Sequence, residues 1–153
     1  MLRISKLTDY GTVVLAELAG DPGALCSAAD VAAATGIGLP TVSKLLKSLA
    51  RAGLVVSTRG VNGGYQLSRA PREISAANVI DALEGPVSIT ECSADDSSCD
   101  YEQVCNVGGA WQRINVAIRK ALEEVSLADL LRASAAPPSF NFAGMPVTVE
   151  KKS

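Results

Sequence analysis

The chain is 153 residues long, 48% apolar and only 4% aromatic, with a net charge of −2 and no histidine. That length suits one domain with a real core, and a composition poor in aromatics suits a helical fold built on Ala, Leu and Val. The start, Met1 to Lys6, lacks the apolar run of a signal peptide. No stretch approaches the roughly 18 apolar residues of a membrane span, so a cytoplasmic chain with reduced cysteines is expected and a membrane partner is not. Without histidine, and with no nucleophile–base constellation, an enzyme is not expected either.

The small net charge hides an asymmetry. Residues 1–72 hold eight Lys/Arg against four Asp/Glu, and residues 73–153 hold six against twelve. A basic half joined to an acidic half suggests a nucleic-acid surface in the first and a different task in the second.

A first helix is expected from about Thr8 to Ala19, with Tyr10, Val14 and Leu18 as its buried stripe. Gly20-Asp21-Pro22-Gly23 stops it. Ser27 caps a second helix, Ala28 to Ala34, with Asp30 placed to bond back to the cap. Cys26, among Ala, Leu and Ser, reads as a small packing residue. After a turn at Thr35-Gly36-Ile37-Gly38, Pro40 opens a third helix that runs to Arg51. Val42, Leu45, Leu46 and Leu49 form its apolar face. Two short helices joined by a glycine turn, the second one basic on its free side, describe a helix-turn-helix. Thr41, Ser43 and Lys44 are then candidates for base contacts, and Lys47 and Arg51 for phosphates. Leu54–Thr58 and Tyr65–Leu67 read as strands around Arg59-Gly60-Val61-Asn62-Gly63-Gly64, and Asn62-Gly63 is a strong hairpin signal. A hairpin directly after a helix-turn-helix is the winged-helix layout, with Arg59 placed to enter a narrow minor groove.

Beyond Pro71, Ser75 caps a helix to about Leu83, with Val79, Ile80 and Leu83 facing inward, and Gly85-Pro86 breaks it. A long helix from Gly108 to about Val125 carries Trp111, Ile114, Ile118, Leu122 and Val125 at 3-4-4-3 spacing. The winged helix already has a core, so this stripe is expected to pair with a second copy of the chain. A short helix restarts at Ser126–Leu131. From Ala133 onward the Ala/Pro/Ser content suggests a flexible tail. The expected fold is therefore mainly α with a small β-hairpin wing. A winged helix-turn-helix spans residues 1–72, the cysteine loop and dimerisation helix span 73–131, and the tail covers 132–153.

Between the last two long elements lie Cys92, Cys99 and Cys105, with six and then five residues between them. Glu91, Asp95, Asp96, Asp100 and Glu102 surround them, and no Lys or Arg occurs from Val87 to Gln112. Acids raise a thiol pKa, whereas a bound cation deprotonates it outright. Zinc favours closer Cys pairs and histidines. A reactive thiol wants positive neighbours. An iron–sulfur cluster takes Cys thiolates, commonly four. The residues alone favour the cluster and leave its fourth ligand open between Cys26 and a carboxylate. A metal or cluster carrier, with the helix-turn-helix incidental, is the reading from another functional class. Specific, salt-dependent duplex binding separates the two.

These segments together resemble the IscR-like iron–sulfur cluster transcription regulators across roughly residues 1–131. The likeness rests on Leu2-Arg3-Ile4-Ser5-Lys6-Leu7-Thr8-Asp9-Tyr10, on Leu39-Pro40-Thr41-Val42-Ser43-Lys44-Leu45-Leu46, on the wing from Arg59 to Leu67, and on the three cysteines before Trp111. Within that group the chain looks most like the proteobacterial regulators of the SUF cluster-assembly operon. The resemblance implies a homodimer on a double-stranded DNA operator, with Cys92, Cys99 and Cys105 as thiolate ligands of a cluster. [2Fe–2S] is favoured and [4Fe–4S] is the alternative. The IscR type has a histidine three residues after its last cysteine, where this chain has Gly108. The similar nitric-oxide-responsive repressors use an aspartate near the N-terminus of the partner subunit, and Asp9 stands at that position.

Overall fold

The computed structural model describes residues 3–90 and 107–132 and the strand segments 139–142 and 145–148. Helices α1 (Lys6–Gly20), α2 (Ala28–Thr35) and α3 (Leu39–Arg51) pack on one another, and an antiparallel hairpin of β1 (Val55–Thr58) and β2 (Gly64–Leu67) follows. After a 3-10 turn at Pro71–Glu73 come α4 (Ala76–Leu83), α5 (Gly108–Glu124) and α6 (Leu127–Arg132). The fold is mainly helical with a two-stranded wing, as the sequence pattern implies.

Local chemistry sets the helix boundaries. The Ser27 hydroxyl accepts from the Asp30 N–H at 3.1 Å, and the Asp30 carboxylate accepts from the Ser27 N–H at 3.0 Å. This reciprocal pair satisfies two donors that a helix start leaves without partners. Ser75 with Asn78, and Ser126 with Asp129, repeat the device at α4 and α6. Gly36 ends α2 at φ 73°, a left-handed conformation that other residues adopt at a cost. It sets the sharp turn into α3.

The core lies where α1, α2, α3, the wing and α4 meet. Val42, Leu45, Leu46 and Leu49 of α3 are wholly buried with Val14 and Leu15 of α1, and Leu18 and Val79 are nearly so. Each fully buried Leu or Val stabilises the fold by roughly 1.5–3 kcal/mol. The buried face of α1 is Thr8, Gly11, Val14, Leu15 and Leu18. Tyr10 is 40% exposed, so the expected Tyr10–Val14–Leu18 stripe is wrong at its first member. Gly11 takes that place because α4 packs there: a Cβ on Gly11 would collide with the Leu83 side chain.

Three further details differ from the sequence reading. The last wing pair is Thr58 with Gly64, so the tip is a five-residue loop, Arg59 to Gly63, one residue shorter than the expected Arg59–Gly64 loop. Cys26 bridges Tyr65 through N–H···O bonds of 3.0 and 2.8 Å and lays a third extended segment against β2. Within the segment read as a flexible tail, β3 (Ser139–Phe142) pairs antiparallel with β4 (Met145–Thr148).

The base of α5 is held firmly. Ser75 and Ser126 form a β-bridge, the Ala76 N–H donates to the Val125 carbonyl at 2.8 Å, and the Leu127 N–H donates to the Ile74 carbonyl at 2.7 Å. Higher on α5, Arg119 makes a two-pronged contact with the Asp81 carboxylate at 2.8 and 3.3 Å. Asn115 donates to the Val87 carbonyl at 3.1 Å. Nothing on α5 is fully buried.

Candidate nucleic-acid interface and sensor region

Because one face of α3 is used up by the core, its other residues are sorted by geometry. Pro40, Lys44, Lys47 and Arg51 recur at helical spacing along the exposed side. Thr41 and Ser43 flank that stripe, half-buried near the N-terminal end. Arg59 is exposed at the start of the wing loop, and the neighbouring Val61 is fully exposed at its tip. All six residues proposed from sequence for nucleic acid therefore lie on α3 or the wing. Between Asp30 and Glu73 the sequence carries six Lys/Arg and no acid. Arg69 is occupied by the Glu73 carbonyl and the Asn78 side chain. Lys44, Lys47, Arg51 and Arg59 make no ion pair among the described residues. Unpaired cations on a helix beside a wing form a field that attracts phosphates.

A second region is formed by α1, α4 and α5. Asp9 is exposed in the first turn of α1. It lines an apolar groove of about 620 Å3 with Val13, Val79, Ile80, Leu122 and Val125. A second groove of about 460 Å3 shares Ile4, Ile80 and Leu122 with it, so the two run together between α1 and α5. Of the α5 stripe, Ile118, Leu122 and Val125 are half-buried on these groove walls, while Trp111 and Ile114 stand 42% and 44% exposed. Cys92, Cys99 and Cys105 lie outside the described residues. Among the described residues no cluster of three or more potential metal ligands occurs. Cys26 packs partly buried against the core, and burial together with Asp30, Glu17 and Asp21 pushes its thiol pKa up. A raised pKa suits a packing residue rather than a ligand.

One carboxylate on this side had no sequence signal. Glu84, at the end of α4, accepts from the Ser5 N–H at 3.0 Å, the Ser5 hydroxyl at 2.8 Å, and the Thr8 hydroxyl. It anchors the start of α1 across 79 positions of sequence. The Thr8 hydroxyl, then the two Ser5 donors, hold its carboxyl below the usual carboxylate range. A partner so far away in sequence leaves no periodic trace, which is why only the tertiary structure shows it.

A family profile described as an iron-dependent transcriptional regulator, Rrf2, matches residues 4–133. The chain belongs to the Rrf2 family. It is 40% identical over 108 residues to the HTH-type transcriptional regulator ORF2 of Azotobacter vinelandii, covering 71% of this chain and 65% of that one. Among solved structures it is similar to CymR (YrzC), the global cysteine regulator of B. subtilis, at 34% identity and a TM-score of 0.66. That match covers 86% of this chain and 98% of CymR. It is also similar to T. potens IscR at 29% identity and a TM-score of 0.64, covering 87% and 88% of the two chains. Rrf2 members are transcription regulators that bind DNA, not enzymes, which agrees with the basic helix and wing. No described helix is long and apolar enough to cross a membrane.

Proposed function

We propose that this Rrf2 protein is a homodimeric regulator that senses an iron–sulfur cluster and controls cluster-assembly genes. The observation that carries the reading is the triad Cys92, Cys99 and Cys105, set among acids directly before α5 in a DNA-binding family. Thiolates in such surroundings favour a bound cation over free thiols. The Asp9 carboxylate is the fourth ligand in this reading. It is exposed on the groove wall and accepts no hydrogen bond from a described residue, so it is open to a ligand. When bound, a [2Fe–2S] cluster, or [4Fe–4S] in the alternative, supplies a centre whose occupancy and redox state change with iron and oxidants.

The homodimer reading rests on α5. A helix of 17 residues with no fully buried side chain, Trp111 and Ile114 uncovered and an apolar groove alongside is self-complementary. Two copies related by a two-fold axis would each cover the other's groove. Each α3 then presents Thr41, Ser43 and Lys44 to base edges and Lys47 and Arg51 to phosphates, with Arg59 at the minor groove. Ligation ties the cysteine segment to α1 of the partner and so sets the spacing of the two α3 helices.

The test is the visible absorption and the iron and sulfide content of anaerobically purified protein. Colour and iron are expected in the wild type and after Cys26→Ala, and are expected to be lost after Cys92→Ser, Cys99→Ser or Cys105→Ser. Asp9→Ala should keep the fold and shorten the cluster's lifetime; an unchanged spectrum and lifetime would remove Asp9 from the ligand set. A colourless, zinc-loaded protein points to zinc instead. The likeness to the cysteine regulator CymR favours a second reading, a regulator of this fold answering another signal. Metal-free protein with full operator affinity would select it.

A further inference from the structure

The residues at the leading end of α3 have an unusual chemistry for a DNA-reading helix. Three of its four leucines, Leu45, Leu46 and Leu49, are 0% exposed, whereas Leu39 is 46% exposed. Leu39 is absent from the side chains packed on the core, although Ile37, two residues earlier, is packed there. It stands one turn before Ser43 on the same edge of the helix. Side chains on a helix lean toward its N-terminus, so that of the first residue reaches ahead of the helix. In a helix-turn-helix this end meets the base edges.

The rest of that end carries one guanine-reading group, Lys44. Gly38 has no side chain, Pro40 has no N–H, and Thr41 and Ser43 offer hydroxyls that suit several bases. The cations Lys47 and Arg51 lie further along the helix. The thymine C5-methyl is the one apolar group on a major-groove base edge. Resting on the DNA-binding reading of α3, we infer that Leu39 is a specificity-determining residue that packs on a thymine methyl in each half-site. Leu39 therefore selects thymine over cytosine at one position per half-site, while Lys47 and Arg51 hold the backbone.

Removing the methyl from the DNA tests this directly. The full chain is first used to select a duplex from a random pool, and each thymine is then replaced in turn by deoxyuridine. Affinity is read by fluorescence anisotropy at fixed salt. One methyl is worth about fourfold in affinity at the usual value for a buried CH2 group. The expected result is one thymine per half-site whose replacement costs the wild type about that much. Leu39→Ala should bind the thymine duplex about fourfold more weakly per half-site and lose its sensitivity at that position alone. Leu39→Met, which keeps an apolar side chain, should retain it. The salt dependence should be the same for all three proteins, because no phosphate contact changes. Leu39→Ala with wild-type sensitivity, or a wild type indifferent to every deoxyuridine, overturns the inference and leaves DNA binding standing. A wild type that selects no duplex overturns both.

Discussion

Helices α3 and α5 are both amphipathic, 13 and 17 residues long, yet the chain treats them in opposite ways. On α3 the apolar residues Val42, Leu45, Leu46 and Leu49 are sealed into the core, and the free side is cationic. On α5 the apolar stripe is only half covered, with Trp111 and Ile114 open to solvent at the end that follows the cysteine segment. A helix whose main apolar face is already satisfied offers a partner its cationic side, with Leu39 uncovered at its first turn, and its partner is anionic. In the proposed homodimer, a second copy covers the unfinished apolar face of α5.

The largest expected effect falls on α3. Leu46→Ala should destabilise the fold by about 3 kcal/mol, because it leaves a cavity in a closed core; Ile114→Ala should leave a dilute protomer within about 0.5 kcal/mol of wild type. Urea unfolding of the two variants compares the helices directly, and equal losses would erase the distinction. Next comes self-association. Trp111→Ala should weaken dimerisation by about 2 kcal/mol, or roughly 30-fold, if this side chain is an interface anchor. Sedimentation at several concentrations measures it, and an unchanged dimer would assign α5 another role.

A smaller effect is expected on the cationic face. Lys47→Ala should lower the slope of log affinity against log salt by about 1 per protomer, with little change in sequence preference. An unchanged slope would remove Lys47 from the phosphate contacts. The smallest effect concerns Glu84. Its carboxyl is held below the usual range, so its contribution is complete above the unfolded-state pKa of about 4.3 and is lost as pH falls through the lower folded value. Glu84→Gln should therefore flatten part of the loss of stability between neutral pH and about pH 3, with the remainder due to Asp30 and Asp129, which are shifted the same way. The urea midpoint at each pH provides the check, and an unaltered acid limb would show that the Ser5 and Thr8 bonds carry no net stability.

Much of the architecture was legible because it is encoded locally. The Ser27–Asp30 box, the glycine turn before α3, the basic and apolar faces of α3 and the strand pair of the wing all depend on residues within a few positions of one another. So does the spacing of the three cysteines. Helix ends fell within two residues of expectation for the same reason. Tyr10 was misread because helical periodicity allows several faces, and the arrival of α4 at Gly11 chose among them. The wing tip is one residue shorter than expected because pairing of Thr58 with Gly64 draws Gly64 into the second strand.

The sequence by itself determined that this chain is a basic winged helix followed by an acidic, cysteine-bearing segment and a long amphipathic helix. Period, caps and charge are properties of neighbours along the chain. Only the tertiary structure decided which apolar residues the protomer keeps and which it leaves uncovered. Burial of Leu46 and exposure of Leu39 and Trp111 depend on elements distant in sequence. The attachment of α1 to α4 through Glu84, and of α4 to α5 through Asp81 and Arg119, likewise joins residues tens of positions apart. Such pairs leave no pattern in a single sequence, because no local rule ties one partner to the other.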